Sequence, residues 1–554
     1  MSYGITTSDA ADPSKDWWRG AVIYQIYPRS FQDTDGDGIG DLKGIAERLD
    51  HVASLNVDAI WISPFFASPM KDFGYDVSDY RAVDPMFGTL EDFDAVIEKA
   101  HTLGLKVIID QVLSHSSDRH AWFEESRQNR DNPKADWYVW ADPKPDGTPP
   151  NNWLSVFGGP AWQWDSKRRQ YYLHNFLASQ PDLNFHNPNV REALLGEVRF
   201  WLERGVDGLR LDTANFYVHD AELRDNPPLK PFERMEVFAS QSDAYNWQDH
   251  VYDRNRPETL DFLRQLRALL DEFGATTALG EIGDRVRGAE LMGEFTAGSD
   301  LLHMSYCFEF LSGPMPTVAD VKFTIERFEE ASRGGWPCWA FSNHDVIRHA
   351  TRWAGADAAN ADALARLAAA ILLSLRGSVC LYQGEELGLT EADIAYENIV
   401  DPQGLNLWPE GKGRDGCRTP MVWEASDPNA GFSTAKPWLP IPAEHLRRAV
   451  DRMEADASSL LHFYRRLINK RKAAPALIRG DFAFVEAGAD LLAYRRDHDG
   501  ETCLCVFNLS GNPAEYQVPN GGQLESIFDD LLGGFCVDSA VKLGAYEGFI
   551  GRVT

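Results

Sequence analysis

The sequence predicts an α/β fold, a (β/α)8 TIM barrel with an inserted subdomain after strand 3 and a C-terminal antiparallel β-sandwich. Three observations support this prediction. Eight short apolar runs alternate with helical segments, polar residues follow those runs, and the last part of the chain changes to short strands separated by turn signals. At 554 residues the chain is also too long for one ordinary core, so two or three domains are expected.

The eight apolar runs are the predicted barrel strands. Their hydrophobicity is nearly continuous, which is typical of parallel strands buried on both faces. They cover residues 22–31, 59–63, 106–112, 208–212, 278–282, 302–308, 338–345 and 379–386. Between them lie segments with the apolar period of amphipathic helices, near 43–54, 89–103, 190–204 and 257–273.

Two long excursions interrupt the barrel pattern. Residues 113–186 are rich in Pro, Gly and Trp and too long for a barrel loop, which predicts an inserted domain B over the mouth. A second excursion, 388–455, follows the eighth strand. The predicted catalytic barrel therefore has two parts, 1–112 and 187–477, and the β-sandwich covers 478–554.

The composition restricts the class of partner. The chain has 54 Lys and Arg against 84 Asp and Glu, a net charge of -30, and nucleic acid is not expected because a phosphate backbone needs a basic face. A small neutral oligosaccharide or disaccharide fits this charge, although acidity that only keeps a protein soluble fits it equally well. The 17 Trp, 18 Tyr and 30 Phe suit sugar-binding clefts as well as core packing.

The sequence predicts a cytoplasmic protein without a membrane segment. Its N-terminus has no basic region followed by an apolar one, and no apolar run reaches the roughly 18 residues that span a bilayer. The seven cysteines are odd in number and scattered, which favours free thiols in a reducing compartment over a disulfide framework or a zinc cluster. Monomer and homodimer both remain open.

Polar residues recur at the C-terminal ends of the predicted strands. Taken singly, such a residue is more often a helix cap or part of a structural ion pair. In a barrel, however, these ends ring the one mouth where active sites lie. The residues concerned are Asp110, Asp212, Glu281, His344, Asp345 and Glu385.

Two of these residues have the chemistry of a glycosidase pair, which needs two carboxyl groups across the anomeric carbon. Asp212 ends the run GLRLD two residues after Arg210, so strand alternation puts both on one face and Arg210 can keep Asp212 ionised. Glu281 follows apolar and small residues. Partial desolvation among them would raise the pKa of Glu281, as a general acid requires. A retaining mechanism requires these two carboxyl groups to lie about 5–5.5 Å apart.

Nine segments give the chain a clear resemblance to a known family. They are AVIYQIYPRSFQDTDGDGIGDLKGI, GYDVSDY, DQVLSHSS, QPDLNF, GLRLDTAN, GEI, SNHD, YQGEELG and GRDGCRTPMVW, and they span roughly residues 17–440 in order. The sequence resembles the α-amylase family of glycoside hydrolases, close to its α-glucosidase and oligo-1,6-glucosidase branch. The C-terminal part matches this family only in general character.

The resemblance implies roles for individual residues. Asp212 would be the nucleophile, Glu281 the acid/base, and Asp345 the third carboxylate that grips sugar hydroxyls. Asp76 and Arg418 would pair around the 4-hydroxyl and close the pocket, which implies exo action. The full set of expected substrate contacts is Tyr75, Asp76, His115, Phe157, Phe176, Arg210, His344 and Arg418. For the two phenylalanines, simple packing is an equal alternative.

The resemblance also implies a retaining α-glucosidase that releases or transfers glucose from short α-glucosides by double displacement. Thr213 after the nucleophile favours α-1,4 linkages in maltose- or sucrose-like substrates over α-1,6 linkages. The alternatives are an α-glucosyltransferase or isomerase on the same scaffold, and an oligo-1,6-glucosidase. A non-enzymatic scaffold is disfavoured because all three carboxylates are present.

The segment DTDGDGIGD, residues 33–41, resembles a cation-binding loop. Its predicted ligands are Asp33, Asp35, Asp37, the carbonyl of Ile39, and Asp41. An EF-hand is disfavoured because its twelfth position would be Gly44 rather than Glu and a strand precedes the loop. Relatives in this branch imply a structural Ca²⁺ or Mg²⁺, with a plain acidic turn as the alternative. No cofactor is expected for catalysis.

Overall fold

The structure, a computed structural model, describes residues 15–230, 244–284, 286–355, 357–528 and 531–553. Eight parallel strands form its centre: β1 (Val22–Ile26), β2 (Ala59–Ile62), β3 (Lys106–Gln111), β4 (Gly208–Leu211), β5 (Thr277–Ile282), β6 (Met304–Cys307), β7 (Cys338–Trp339) and β8 (Ser378–Tyr382). Their order in the sheet is β6-β5-β4-β3-β2-β1-β8-β7. A parallel bridge between Ser305 and Pro337 joins the two ends, so the barrel closes and the predicted fold class is confirmed.

The interior of the barrel is a packed core. Side chains from alternate positions of the strands fill it, because successive residues of a strand point to opposite faces. This inner cluster includes five fully buried side chains: Ile23, Ala59, Ile108, Leu279 and Met304. The remaining residues of each strand point outward and pack against the surrounding helices. Both faces of each strand are therefore apolar, which explains the continuous apolar runs in the sequence.

The barrel helices follow the strands as the sequence predicts. They are Leu42–Ser54, Leu90–Thr102, Pro188–Glu203, Thr259–Glu272, Gly288–Phe295, Val318–Ser332, His349–Ala354 and Ala361–Leu372. Thr89 with Asp92 and Thr317 with Asp320 form capping boxes, which satisfy the free N–H groups of two of these helices.

The segment between β3 and helix Pro188–Glu203 has its own small core. It contains helix Ala121–Ser126 and three antiparallel strands, Trp140–Ala141, Trp162–Asp165 and Gln170–Leu173. Trp153, Trp162 and Leu173 are buried together beneath them. A bridge between His115 and Asp182 ties this segment to the end of β3. Another short hairpin, Phe66–Ala67 with Asp79–Val83, follows β2.

The excursion after β8 contains helices Pro402–Leu407 and Val450–Ala455, and the chain then forms helices Leu460–Lys472 and Pro475–Arg479. Two antiparallel sheets then form the C-terminal part of the chain. The first contains Asp481–Phe484, Leu491–His498, Glu501–Asn508, Leu524–Ser526 and Gly548–Val553, and the second contains Ala514–Gln517, Phe535–Val537 and Ala540–Leu543. The sequence-based domain limits stay predictions.

All seven cysteines are free thiols, and six of them are buried. Among the described helices, none combines the length and apolar character needed to cross a bilayer.

Candidate active site

A pocket opens at the C-terminal ends of the barrel strands. The inserted segment forms one side of it. Seven of the residues predicted from the sequence line this pocket, namely Tyr75, His115, Phe157, Phe176, Asp212, Glu281 and Asp345. The fold therefore brings most of the candidate residues to one place.

A single buried guanidinium connects the carboxylates at the bottom of the pocket. Arg210 on β4 is fully buried, and its Nη1 donates to Asp110 Oδ1 at 2.6 Å and to Asp212 Oδ1 at 2.8 Å. Its Nη2 lies 2.7 Å from Glu281 Oε1. Adjacent nitrogens of one planar group therefore hold Asp212 and Glu281 in the same part of the pocket.

The residue after Asp212 has a strained backbone. Thr213 has φ 41° and ψ 51°, in the left-handed region that β-branched residues rarely adopt. This conformation directs its N–H to Glu281 Oε2 at 3.0 Å, while its hydroxyl donates to Asp212 Oδ2 at 3.2 Å. Ser114 Oγ lies 3.1 Å from the same hydroxyl. The turn thus holds both carboxyl groups by the oxygens that Arg210 does not contact.

Burial changes the protonation of these groups. Desolvation raises the pKa of Asp212 to about 7 and that of Glu281 to about 7, while Arg210 opposes the rise in both cases. Asp212 also raises the pKa of Glu281, and Asp345 raises the pKa of both carboxyl groups, so the two titrate as a pair. Near neutral pH the site can therefore hold one ionised and one protonated carboxyl group.

The third carboxylate remains ionised. Burial opposes ionisation of Asp345, but His344, Arg414 and Arg418 outweigh it and hold the pKa of Asp345 well below its usual range. Arg418 Nη2 donates to Asp345 Oδ1 at 2.9 Å, and Arg414 Nη1 lies 3.3 Å from the same oxygen. An ionised group in this position can accept hydrogen bonds from a ligand.

Asp72 and Arg414, which sequence reasoning missed, form an ion pair in the pocket lining, and the part of the pocket that they line is here called the closed end. Arg414 Nη2 donates to Asp72 Oδ1 at 2.7 Å, and both residues line the pocket. Each lies four positions before a residue that was predicted, in the segments KDFGYD and GRDGCR. These motifs indicated the two loops that meet at the pocket, but they did not indicate which carboxylate and which guanidinium pair there.

The predicted pairing of Asp76 with Arg418 is wrong. The Asp76 carboxylate is fully buried and accepts from Ser68 Oγ at 2.9 Å, from Lys71 N–H at 3.1 Å and from Asp72 N–H at 3.0 Å. It is satisfied within its own loop and fixes the backbone beside Asp72. Arg418 instead donates to the carbonyl of His344 at 2.7 Å and to Asp345.

Three predicted substrate contacts lie beneath the pocket wall rather than in it. Arg210, His344 and Arg418 are fully buried, and each contacts a residue that lines the pocket. Gln25 Nε2 lies 2.7 Å from His344 Nδ1, so Nε2 carries the proton and faces Tyr75 Oη at 2.5 Å. The rings of Tyr75 and His344 also stack with centroids 5.5 Å apart.

His115 lies in the wall itself. Its Nε2 is 2.9 Å from the carbonyl of Tyr75, and its Nδ1 is 2.9 Å from Ser114 Oγ. Burial lowers the pKa of His115 to about 4, so the ring is neutral. Its ring packs against Phe176, with centroids 5.2 Å apart.

Aromatic rings and Arg254 line the pocket near Glu281. Tyr306 at the end of β6 donates to Glu281 Oε1 at 3.1 Å, and Phe308 follows two residues later. Arg254 donates to the carbonyl of Gly283 and lies over the ring of Phe216 at 4.9 Å. The lining residues that no sequence motif singled out are Val156, Phe216, Tyr245, Asn246, Arg254, Gly283, Phe308 and Gln403.

The acidic loop after β1 brings together part of its predicted ligand set. Oxygen atoms of Asp33, Asp35 and Asp37 lie within 4.8 Å of one another, which fits a hard cation such as Ca²⁺ or Mg²⁺. Asp41 instead caps helix Leu42–Ser54, where it accepts from Gly44 N–H at 2.7 Å and Thr34 N–H at 2.7 Å. Ile39 donates its N–H to Asp37 Oδ1 at 2.7 Å.

Two family models match the chain. The model described as "Alpha amylase, catalytic domain" matches residues 25–480, and that described as "Maltogenic Amylase, C-terminal domain" matches residues 482–550. Together they cover the barrel with its excursions and the two C-terminal sheets.

Individual proteins are similar over almost the whole chain. A probable alpha-glucosidase of Rhizobium meliloti (strain 1021) is 59% identical over 553 residues, 100% of each chain, and an oligo-1,6-glucosidase of Heyndrickxia coagulans is 37% identical, covering 91% of this chain and 94% of that one. Among solved structures, the alpha-glucosyl transfer enzyme XgtA is 54% identical with a TM-score of 0.93, covering 97% of this chain and 99% of that one. The trehalulose synthase MutB from Pseudomonas mesoacidophila MX-45 is 35% identical with a TM-score of 0.86, at the same coverage of 97% and 99%.

Proposed function

This chain belongs to the α-amylase family of glycoside hydrolases, and on that premise we propose that it is a retaining, exo-acting α-glucosidase. One observation carries the mechanism: Arg210 contacts Asp212 at 2.8 Å and Glu281 at 2.7 Å from adjacent nitrogens of one guanidinium. Arg210 thus brings the two carboxyl groups together in one part of the pocket, which is the pairing that a covalent glucosyl intermediate needs.

In the first step, protonated Glu281 donates its proton to the glycosidic oxygen while Asp212 attacks the anomeric carbon. The bond from carbon to the leaving oxygen breaks, and a covalent β-glucosyl ester forms on Asp212. The backbone N–H of Thr213, 3.0 Å from Glu281 Oε2, holds the acid in place as it loses its proton. Arg210 stabilises the negative charge that the pair retains.

In the second step, ionised Glu281 takes a proton from water or from another hydroxyl compound. The oxygen of that acceptor attacks the anomeric carbon, the ester bond breaks, and the carboxylate of Asp212 is released. Two inversions give a product with the original α configuration. Throughout, the ionised Asp345 accepts hydrogen bonds from the hydroxyl groups of the bound glucose.

Exo action follows from the closed end of the pocket. The Asp72–Arg414 pair and Asp345 occupy the space in which a further sugar of a long glucan would have to continue. Tyr75, Phe157 and Phe176 supply apolar ring surface around the first glucose, and the neutral ring of His115 adds to this wall. The substrate is therefore the non-reducing end of a short, neutral α-glucoside.

Thr213 is the basis for proposing α-1,4 linkages in maltose- or sucrose-like substrates over α-1,6 linkages. Its hydroxyl contacts Asp212 at 3.2 Å and Ser114 at 3.1 Å, so it is fixed at the floor of the site. Similarity to both an alpha-glucosidase and an oligo-1,6-glucosidase keeps the α-1,6 activity as the alternative.

Transfer of glucose to an acceptor is the second candidate function. The acceptor must approach from the side of Glu281, and there the wall contains the rings of Phe216, Tyr245 and Phe308. These rings give an organic acceptor apolar surface to pack against. The similarity to an alpha-glucosyl transfer enzyme and to a trehalulose synthase supports the same possibility of transglycosylation or isomerisation.

We further propose that Asp33, Asp35 and Asp37 hold a structural Ca²⁺ or Mg²⁺. This loop lies outside the pocket lining, so the ion would stabilise the connection from β1 to helix Leu42–Ser54 and take no part in the chemistry. The seven free thiols support a reducing, cytoplasmic compartment.

The test of the proposed function is a set of initial rates on maltose, isomaltose, sucrose and trehalose. Product anomers are followed by NMR from the first minutes, and glucose release is compared with the formation of new glucosides. We expect α-glucose as the first product and the highest rate on maltose or sucrose. Initial release of β-glucose would overturn the retaining mechanism, and faster cleavage of long amylose than of maltose would overturn exo action.

A further inference from the structure

The carboxylate of Asp401 lies behind the closed end of the pocket, on the excursion that follows β8. Both of its oxygens contact Arg414. Oδ1 accepts from Nη2 at 2.8 Å, and Oδ2 accepts from Nε at 3.0 Å and from the backbone N–H at 2.6 Å. A pair with two parallel contacts fixes the plane of the guanidinium as well as its position.

The other side of the same guanidinium faces the pocket. Arg414 Nη2 donates to Asp72 Oδ1 at 2.7 Å, and Nη1 lies 3.3 Å from Asp345 Oδ1. Arg414 is thus held between one carboxylate behind it and two in the pocket. Without the rear carboxylate, the carboxylates of Asp72 and Asp345 would be unopposed and the guanidinium would move toward them.

Asp401 is itself firmly fixed. It caps helix Pro402–Leu407 by accepting from Gln403 N–H at 3.2 Å, and its own N–H donates to Asp415 Oδ2 at 3.0 Å. Gly413 has φ +71°, and a Cβ there would lie 2.6 Å from Asp401 Oδ2, so the turn before Arg414 needs glycine. Arg414 holds the pKa of buried Asp401 below its usual range against the effect of burial, which keeps the pair charged.

We propose that Asp401 is a positioning residue that holds Arg414 against Asp72 and thereby sets the recognition of the sugar hydroxyl at the closed end of the pocket. Asp401 is fully buried and is not part of the described lining, so it acts only through Arg414. This inference rests on the proposed function, because it takes the non-reducing glucose to occupy that end with its 4-hydroxyl at the pair.

The test compares Asp401→Asn with the wild-type enzyme on p-nitrophenyl α-glucoside and on its 4-deoxy analogue. The ratio of the two kcat/KM values does not depend on how much of a preparation is folded. We expect the variant to lose about 10- to 100-fold on the glucoside, as for a hydrogen bond to a charged group, and less than about 3-fold on the 4-deoxy analogue. Asp401→Glu, which keeps the charge, should recover part of the selectivity.

Asp393→Asn is the matched control on the same excursion. Asp393 is 84% exposed in its side chain and pairs only at the surface with Lys412 at 2.6 Å, so the ratio should stay at the wild-type value. A double-mutant cycle with Arg414→Lys tests the route of the effect. In that background, Asp401→Asn should leave the ratio unchanged.

Equal losses on both substrates in Asp401→Asn would overturn the inference, because a general structural defect does not distinguish them. Additive effects of Asp401→Asn and Arg414→Lys on the ratio would also overturn it. A wild-type enzyme that cleaves no α-glucoside would instead contradict the proposed function, so the two failures are distinguishable.

Discussion

Arg210 contacts three carboxylates through two nitrogens, and this arrangement requires arginine. The planar guanidinium presents several donors in fixed directions, whereas a lysine ammonium is a single flexible point charge. Its single positive charge faces the carboxyl groups of Asp110, Asp212 and Glu281, which all lie within 2.8 Å of it. Removing one of these groups changes the charge balance of all of them, so residue-scale effects at this site should be large.

The first prediction concerns the nucleophile. Asp212→Asn should lower kcat on p-nitrophenyl α-glucoside at least about a thousandfold, because an amide cannot form the glucosyl ester. The measurement is steady-state kinetics after any contaminating wild-type enzyme has been trapped. Asp261→Asn, an exposed helix position paired with Arg264 at 3.2 Å, is the control and should keep wild-type kinetics. Residual activity above a thousandth in the first variant would contradict covalent catalysis.

The second prediction is the pH dependence. The pKa values of Asp212 and Glu281 are both raised to about 7, so kcat/KM should follow a narrow bell with its maximum near neutral pH. Activity falls at lower pH because the nucleophile gains a proton, and at higher pH because the acid loses its proton. In Glu281→Gln, measured with an aryl glucoside whose leaving group needs no acid, the alkaline fall should disappear. If the alkaline fall in kcat/KM persists unchanged in that variant, a group other than Glu281 causes it.

At the scale of elements, the loops after the strands decide which side chains enter the pocket. The apolar run 338–345 is predicted as one strand, but only Cys338–Trp339 is extended in the sheet. The residues that follow leave the sheet, which lets Asp345 enter the pocket while His344 packs beneath Tyr75. A longer strand would place these two neighbours on opposite faces of the barrel.

The third prediction concerns the loop from Asp33 to Asp37. If the three carboxylates bind Ca²⁺ or Mg²⁺, EDTA should lower the midpoint of thermal unfolding by about 2–5 °C, and excess cation should restore it. The rate constants at 25 °C should stay unchanged because the loop is outside the pocket. Asp35→Asn, which leaves the hydrogen bonds of Asp33 to the loop intact, should lose the response to EDTA. No response in the wild-type protein would make the loop a plain acidic turn.

At the scale of the whole molecule, buried arginines join the barrel to the C-terminal sheets. Arg496 lies in strand Leu491–His498 and is fully buried. It donates to the carbonyl groups of Ser374 at 2.8 Å, Leu477 at 2.9 Å and Gly480 at 2.9 Å. These carbonyls belong to the end of a barrel helix and to the segment that enters the C-terminal sheets, so one side chain satisfies backbone groups on both sides of the junction.

The fourth prediction tests this junction. Arg496→Met should leave buried carbonyl groups without a donor and destabilise the protein by about 2–4 kcal/mol, seen as a lower midpoint of urea unfolding. Arg495→Met is the matched control, because its side chain is 53% exposed and pairs with Asp497 at 2.6 Å on the other face of the same strand. Equal destabilisation by the two variants would show that the junction does not depend on Arg496.

The sequence was sufficient for the barrel, because burial of parallel strands on both faces leaves a pattern that is read directly from neighbouring residues. The positions of Asp212 and Glu281 follow from the same pattern, since both end such strands, and their catalytic roles stay predictions from the family resemblance. The sequence was misleading for the closed end of the pocket, where it paired Asp76 with Arg418. Both residues lie in the expected motifs, but the carboxylate of Asp76 is used by its own loop.

The sequence alone therefore determined the fold class, the family and the residues that end the barrel strands, because those depend on short-range periodicity and on contiguous motifs. Only the tertiary structure decided that Asp72 pairs with Arg414, that Asp401 supports this pair, and which rings form the wall beside Glu281. Asp72 and Arg414 are separated by more than 300 positions. Such a contact depends on how two loops meet across the mouth of the barrel, and no local period in the sequence records it.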